Sequence, residues 1–534
     1  MKPPCFRKTQ RWPRFLWKSE KERKGALTLL SVFLFVIFST LGLGMLYLTQ
    51  VYLKTSAYRK NSMLLEYASE NGIKQGYDRL HGLLSLATSP ILLTEVEASQ
   101  LLDDSQVHGN AVVERVLGCG LPLALGDSWE RLHWESLTDF QFLRLREELG
   151  YFFAQYKGMI ASTGRLQGFE PEKTSFLDSE LSILTGHIPL PSIAFLLDKS
   201  MTSEQKKTFL EENSIHMIPS EQVDLPAPIA FSEGDLLPQQ AVQQLAKALN
   251  IEIFQPQDLS ASKLRLALGL EVNNDPVPDG VYLIQDDLGL RGVFVQGDLD
   301  EMILAIQGNS QIILFRQIQD IWMVKFSPED SKTSFISPVG SQSFDCIPVG
   351  IIIVNGKILS LGGGYEDGSG RILMAFQEEL PCVLHGVNLT IISSDKITLS
   401  SHLIYEGVRW IDGVPYIKDS DSQLIIHAAG HDFLNGEEKA GGISIDENSP
   451  EQLKVHASMT ASGDGVTVLG QDKEVQLLGS IQASELVLNE NEISIKFDSR
   501  FFPSNEKTFE NMPLTEKPVL YISYFRITDW RENL

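Results

Sequence analysis

From Gly25 to Leu53 the chain runs 29 residues without a charged side chain. About 20 apolar residues cross the hydrocarbon core of a bilayer as a helix, so this stretch predicts a membrane span. The pattern continues as a helix through Leu64–Ala87 (LLEYASENGIKQGYDRLHGLLSLA), where Ala68, Gly72, Gly76 and Leu80 recur every four residues and Leu83 and Leu84 extend the face. Small residues at that spacing let another helix approach closely. Further on, Trp129–Lys157 has helical spacing through Leu137, Phe140, Leu143 and Leu145. Ser192–Leu197 suits a strand, Ser203–Glu212 a charged helix with a Ser N-cap, and Leu237–Leu249 and Ser260–Leu268 two more helices. Pro-containing connectors such as PSEQVDLPAP lie between them.

The texture changes near residue 275. Short β-rich runs alternate with Gly and Asp punctuation: Tyr282–Ile284, Val293–Val295, Met302–Ile306, Gln311–Leu314, Gly350–Lys357, Leu389–Ile392, Lys396–Leu399, Leu424–His427, Val466–Val468 and Val475–Ile481. Spacings near ten residues with turns between them predict a sandwich, barrel or β-solenoid. No strict repeat is present, so a short, irregular parallel β-helix is the first expectation.

Charge separates the two ends of the span. Residues 1–24 carry nine Lys/Arg, among them Arg23 and Lys24, and two acids, whereas the remainder has a balance of −31 out of a net −24. Positive charge stays on the cytoplasmic side. Lys54, Arg59 and Lys60 follow the span but do not outweigh nine bases, so the head is expected in the cytoplasm and the body across the membrane. The apolar run is too long for a secretory h-region and no A-x-A site follows it. The acidic body repels phosphate backbones, which argues against nucleic acid as a partner.

Arg23-Lys24-Gly25 followed by Ala26-Leu27-Thr28-Leu29-Leu30 and an unbroken apolar helix resembles the class III signal of type IV pilins and pseudopilins. The resemblance implies cleavage between Gly25 and Ala26 by a prepilin peptidase, and methylation of the new N-terminus. Most members have Glu at the fifth mature position; here it is Leu30, as in some PilX-like and GspK-like minor subunits. Ala68-Ser69-Glu70-Asn71-Gly72-Ile73 is similar to a pattern in PilX-like N-termini. Asp279–Tyr282, Gly292–Asp298, Asn388–Ile391 ahead of Asp395–Ile397, Phe497–Arg500 and Asp529–Glu532 resemble an uncharacterised β-rich domain found behind such N-termini. The resemblance covers residues 20–90 and 275–534 and implies an assembly or display role with no known chemistry.

Motifs for catalysis are few. His427-x-x-x-His431 lacks the Glu of zinc proteases and falls on a strand and turn. Leu361–Gly370 (LGGGYEDGSG) fits neither a P-loop nor a dinucleotide fingerprint and predicts a loop between strands. Asp419, Asp421, Glu437 and Glu438 lie in acidic loops without EF-hand order, and no G-x-S-x-G elbow occurs. Cys5 precedes the span; of Cys119, Cys346 and Cys382, the last two are the nearest pair for a disulfide, with buried thiols the alternative.

The expected class is α+β: a basic leader (1–25), a transmembrane and stalk helix of pilin type (26–90), a mixed helical and β region (91–274) and a C-terminal β-rich domain (275–534), as an irregular β-helix or sandwich. The expected function is a minor pilin-like subunit in the bacterial inner membrane. Its partners are the membrane and other pilin or pseudopilin subunits, with no metal, cofactor or catalysis. Gly25 and Ala26 form the processing site, Arg23 and Lys24 set topology, and Ala68, Gly72 and Gly76 pack against partner helices. The alternatives are a plain membrane-anchored binding module or adhesin, or a β-helix enzyme acting on polysaccharide.

Overall fold

The computed structural model describes residues 20–86, 90–148, 151–197, 203–218, 229–231, 260–286, 289–348, 350–418, 420–501 and 514–533. Helix α1 (Glu20–Leu86) runs unbroken for 67 residues. Its second half follows the predicted period: Leu65, Ala68, Ser69, Gly72, Ile73, Gly76, Leu80 and Leu84 are buried, one or two per turn.

These residues lie on a six-stranded antiparallel sheet. Strand β1 (Ile91–Leu92) is followed by helices α2 (Glu95–His108) and α3 (Ala111–Leu117), then by β2 (Leu123–Trp129), β3 (Leu132–Glu148), β4 (Tyr151–Leu166) and β5 (Phe169–Gly186). The sixth strand, Val519–Asn533, comes from the far end of the chain and sits between β1 and β5. The helix expected over Trp129–Lys157 is therefore corrected to strand: it spans all of β3 and nearly the first half of β4. Leu132, Trp134, Ser136, Thr138 and Phe140 are buried and Leu137 is 43% exposed, a period of two. Small polar residues occupy the inward positions because α1 lies close above them, which hides the alternation from a hydrophobicity pattern.

The rest of the chain winds into a coil. Strands β6 (Phe195–Leu197), β7 (Ile215–Ile218, after helix α4, Ser203–Glu212), β8 (Ile229–Phe231) and β9 (Gly280–Asp286) lie at the margins of one large sheet. Then each turn places one strand in that sheet and one in a second sheet: β10 (Gly289–Gln296) with β11 (Glu301–Gln307), β16 (Ile351–Asn355) with β17 (Ile358–Glu366), β19 (Asn388–Ser393) with β20 (Ile397–Leu399), β23 (Gln423–Ala428) with β24 (Gly442–Ile445), β25 (Gln452–Ala461) with β26 (Gly465–Val468), and β27 (Glu474–Ala483) with β28 (Leu486–Val487), closed by β29 (Glu492–Lys496). A meander of β12 (Ser310–Gln317), β13 (Asp320–Ser327), β14 (Lys332–Ser337) and β15 (Gly340–Phe344) extends the second sheet; β18 (Ile372–Met374) flanks β17, and β21 (Val408–Ile411) with β22 (Val414–Ile417) is a separate hairpin. The strand Val519–Asn533 is β30.

Neighbouring turns pair in parallel, so like residues stack. Val293, Ile352, Ile391, Ile426, Met459, Ile481 and Phe195 form one inward ladder; Met302, Leu361, Leu399, Ile445 and Val468 form the facing one. All twelve are buried in one core. Of the two expected architectures, the irregular parallel β-helix is the one formed. Each predicted run from Tyr282 to Ile481 contains a strand, with Gly350, Gly356, Lys357 and Lys396 just outside theirs.

Two further expectations change. Leu361–Glu366 belongs to β17 rather than to a loop, and only Asp367–Gly370 turns. Gly362, Gly363 and Gly364 are needed there because a Cβ would meet Ser401 Cβ, the His402 carbonyl and Ile303 Cγ2 at 2.8, 2.6 and 2.3 Å. The division at residue 275 does not match the structural one: β6, β7 and β8 join the coil, and β30 belongs to the first sheet. The coil is thus an insertion between β5 and β30, sharing a core with the sheet through Phe153, Leu184, Leu196, Phe497 and Tyr521. Ser260 caps the short helix Ala261–Ala267, accepting from the Lys263 N–H at 3.3 Å; Leu237–Leu249 and the 219–228 connector lie outside the described residues.

Candidate membrane-anchoring helix

Among the described residues, little packs on the first half of α1. Residues 27–60 are exposed almost throughout, including Leu27, Phe33, Phe35, Phe38, Leu46 and Tyr52. Three of its hydroxyls are satisfied within the helix: Ser31 donates to the Thr28 carbonyl, and Thr40 and Thr49 to those of Val36 and Met45, each at 2.8 Å. This removes the cost of carrying hydroxyl groups into lipid. Among the described residues this is the one helix long and apolar enough to cross a membrane. Arg23, Lys24, Gly25 and Ala26 lie in its first turns, and Leu30 is 55% exposed.

The small-residue stripe has a different partner from the expected one. A Cβ on Gly72 would stand 2.0 Å from Ser162 Oγ and 3.1 Å from Trp134 Cδ1; one on Gly76 would stand 2.8 Å from Ile160 Cγ2. The converse holds at Gly164, where a Cβ would come 3.0 Å from Ala68 Cβ and 2.6 Å from the Leu65 carbonyl. Ser69 and Ser175 share a buried hydrogen bond of 2.9 Å. Ala68, Gly72 and Gly76 are therefore filled by this chain's own β3, β4 and β5, and the expectation that they receive partner helices is corrected. Sequence spacing shows that something approaches closely, but not what.

A second constellation was not foreseen. His456, fully buried on β25, faces the Tyr405 N–H at 2.9 Å with Nδ1 and the Trp410 Nε1–H at 2.8 Å with Nε2. Burial, with Arg500, Lys454 and His402 nearby, pushes its pKa down to about 3. The Arg500 guanidinium lies 4.9 Å from the Tyr405 ring and pairs with the buried Asp498 at 2.5 Å, donating also to the Ser420 carbonyl at 2.9 Å. A line of contacts thus joins Asp498, Arg500, Tyr405, His456 and Trp410. It backs a cavity of about 460 Å³ lined by Glu379, Pro381, Tyr405, Arg409 and Trp410, next to one of about 480 Å³ lined by Asn309, Glu329, His385, Glu406 and Lys418; Gly407 borders both. The signal available in sequence was Phe497-Asp498-Ser499-Arg500, whose acid and base close the coil.

The remaining chemical candidates are structural. His427 is buried on β23, bonded through Nε2 to Ser462 Oγ at 3.2 Å, and burial lowers its pKa to about 4; His431 lies beyond the strand in a bridge with Glu438. Among the described residues no group of three or more His, Cys, Asp or Glu is placed to hold a metal. Cys119, Cys346 and Cys382 are free, so of the two readings left open the free thiols hold and Cys346–Cys382 is not a disulfide; burial raises the Cys382 thiol to about 12, far from a reactive thiolate. Asp421 borders His385 at 3.6 Å, and Asp419 lies outside the described residues. No protein-family model, curated protein or solved structure matches the chain.

Proposed function

We propose that this chain is a single-pass, pilin-like structural subunit, with a cytoplasmic basic head and an insertion coil displayed across the bacterial inner membrane. It carries no catalysis and no cofactor. The observation that carries this reading is the division of α1. One half is clamped to an antiparallel sheet of the same chain, and the other presents an uncharged apolar rod that is exposed almost throughout among the described residues. Such a rod needs lipid or the equivalent rods of neighbouring subunits. A minor pilin or pseudopilin uses both in turn.

Gly25 and Ala26 supply the test. Intact-mass measurement of the protein from cells with active prepilin peptidase is expected to show a chain starting at Ala26, with Gly25→Leu leaving Met1 in place. An uncut wild-type chain would refute the filament-subunit reading in favour of a plain membrane-anchored display module. That second reading is favoured by one observation: the Gly72 and Gly76 stripe is used up inside the molecule and is not free for partner helices.

A further inference from the structure

We propose that the end of the first sheet nearest the span is a collar that seats on anionic lipid headgroups, built from Trp129, Arg131 and Phe169 on two turns and Tyr58, Arg59 and Lys60 on α1. This rests on the reading that α1 crosses a membrane. The direction of the strands comes from their contacts: Ile160 meets the Gly76 position, Ser162 the Gly72 position and Gly164 Ala68, while the Phe169 ring lies 5.5 Å from that of Tyr58. Strand β4 therefore descends α1 toward the span. The β4–β5 turn and the β2–β3 turn both lie at that end.

The two turns are held level. Gln167 N–H donates to the Arg131 carbonyl at 2.9 Å, and Glu130 and Gly168 take the left-handed conformation of tight hairpins, with φ of 54° and 78°. Tyr58 follows Leu53, the last residue of the uncharged stretch, by five residues, or ~7.5 Å of helix rise, which is about one headgroup layer. At this level the large apolar side chains are bare: Trp129 is 59% exposed and Tyr58 55%. Tryptophan and tyrosine favour that layer.

Charge selects the lipid. Lys54, Arg59, Lys60 and Arg131 are exposed there, against Glu130 and Glu170. Arg165 is engaged by Glu135 and Glu172, and Lys173 by Glu66, so they add little. The body as a whole is strongly acidic, so an anionic surface repels it on balance and favours this basic end. The collar would fix the body upright on the bilayer instead of letting it swing on α1.

The experiment uses full-length protein reconstituted in vesicles of phosphatidylcholine, with or without phosphatidylglycerol, doped with headgroup spin-labelled lipid. Seven tryptophans contribute to the emission, so the reading is a difference. Trp129→Phe is expected to abolish a quenched component that is larger with phosphatidylglycerol, and Lys60→Gln with Arg131→Gln is expected to remove that lipid dependence. Trp530→Phe is the control. Trp530 pairs with Leu177, which pairs with Ile160 beside Gly76, ~27 Å up the helix from Tyr58, and its loss should leave the quenched component intact. Resistance to alkaline carbonate extraction is scored in parallel. Retained protein with unchanged quenching in Trp129→Phe overturns the collar alone; extracted protein overturns the spanning reading and the collar with it.

Discussion

Replacing Gly72 by Ala adds one methyl group where the structure has no room. That methyl would sit 2.0 Å from Ser162 Oγ, 3.1 Å from Ser162 Cβ and 3.1 Å from Trp134 Cδ1, and Ser162 is itself fully buried. Overpacking of this kind costs roughly 1–3 kcal/mol, while an exposed Gly→Ala change in a helix gains ~1 kcal/mol. The net expectation is a loss of about 0–2 kcal/mol, too broad to interpret alone, so the informative quantity is a double-mutant cycle. Ser162→Ala removes the oxygen that blocks the methyl. The pair is expected to be more stable than the sum of its singles by ~1–2 kcal/mol, within the range for residues in contact. The assay is hydrogen exchange of the β4 amides in detergent-solubilised protein, read by mass spectrometry as a local opening free energy. This avoids treating a multi-part chain as two-state. Additive singles would show that α1 and β4 are not in contact and would refute the packing argument. Additive singles with lost assembly in cells would return the stripe to partner helices.

Two other perturbations test the coil. The folded pKa of His427 lies at about 4, below its ordinary 6.5, because burial disfavours the charged ring; the unfolded chain therefore takes up the proton first as pH falls. Its contribution is complete above about pH 6.5 and fades toward pH 4, worth about 3 kcal/mol at ~1.4 kcal/mol per unit. Urea midpoints followed against pH should fall less steeply for His427→Asn than for wild type across that window, and equal slopes would count against the burial argument. Arg500→Leu strands Asp498, whose side chain is 0% exposed, and should cost roughly 3–5 kcal/mol, with most of the loss recovered by adding Asp498→Leu. A double variant no more stable than the single one in thermal unfolding would contradict the ion-pair assignment.

The coil was legible because its strands are short, apolar and separated by turn residues. Runs such as Leu424–His427 and Val475–Ile481 have no competing interpretation. Strands β3 and β4 were not, for a reason visible in Ser136, Ser162 and Gly164. Their inward side chains are small because a helix lies on them, so the two-residue alternation carried no hydrophobic contrast. Leu137, Phe140 and Leu143 then mimicked helical spacing. Long-range topology was also out of reach: nothing in Val519–Asn533 announces a partner in Phe169–Gly186. The long apolar helix was the clearest feature, since an uncharged run of that length is long and apolar enough to cross a membrane. Its stripe shows the limit of spacing arguments, because glycine records a close neighbour without naming it. His456 had no motif around it at all.

The return of β30 to the sheet next to α1 has a consequence for biosynthesis. Roughly 330 residues separate the end of β5 from the start of β30. At translation rates of about 5–20 residues per second, β5 waits roughly 15 s to a minute for its neighbour. Meanwhile the waiting edge can template wrong pairings with other nascent chains. The sheet packed on α1 is thus the first begun and the last completed. A chain interrupted anywhere in the coil leaves that edge open, giving the cell a local mark by which to recognise unfinished copies.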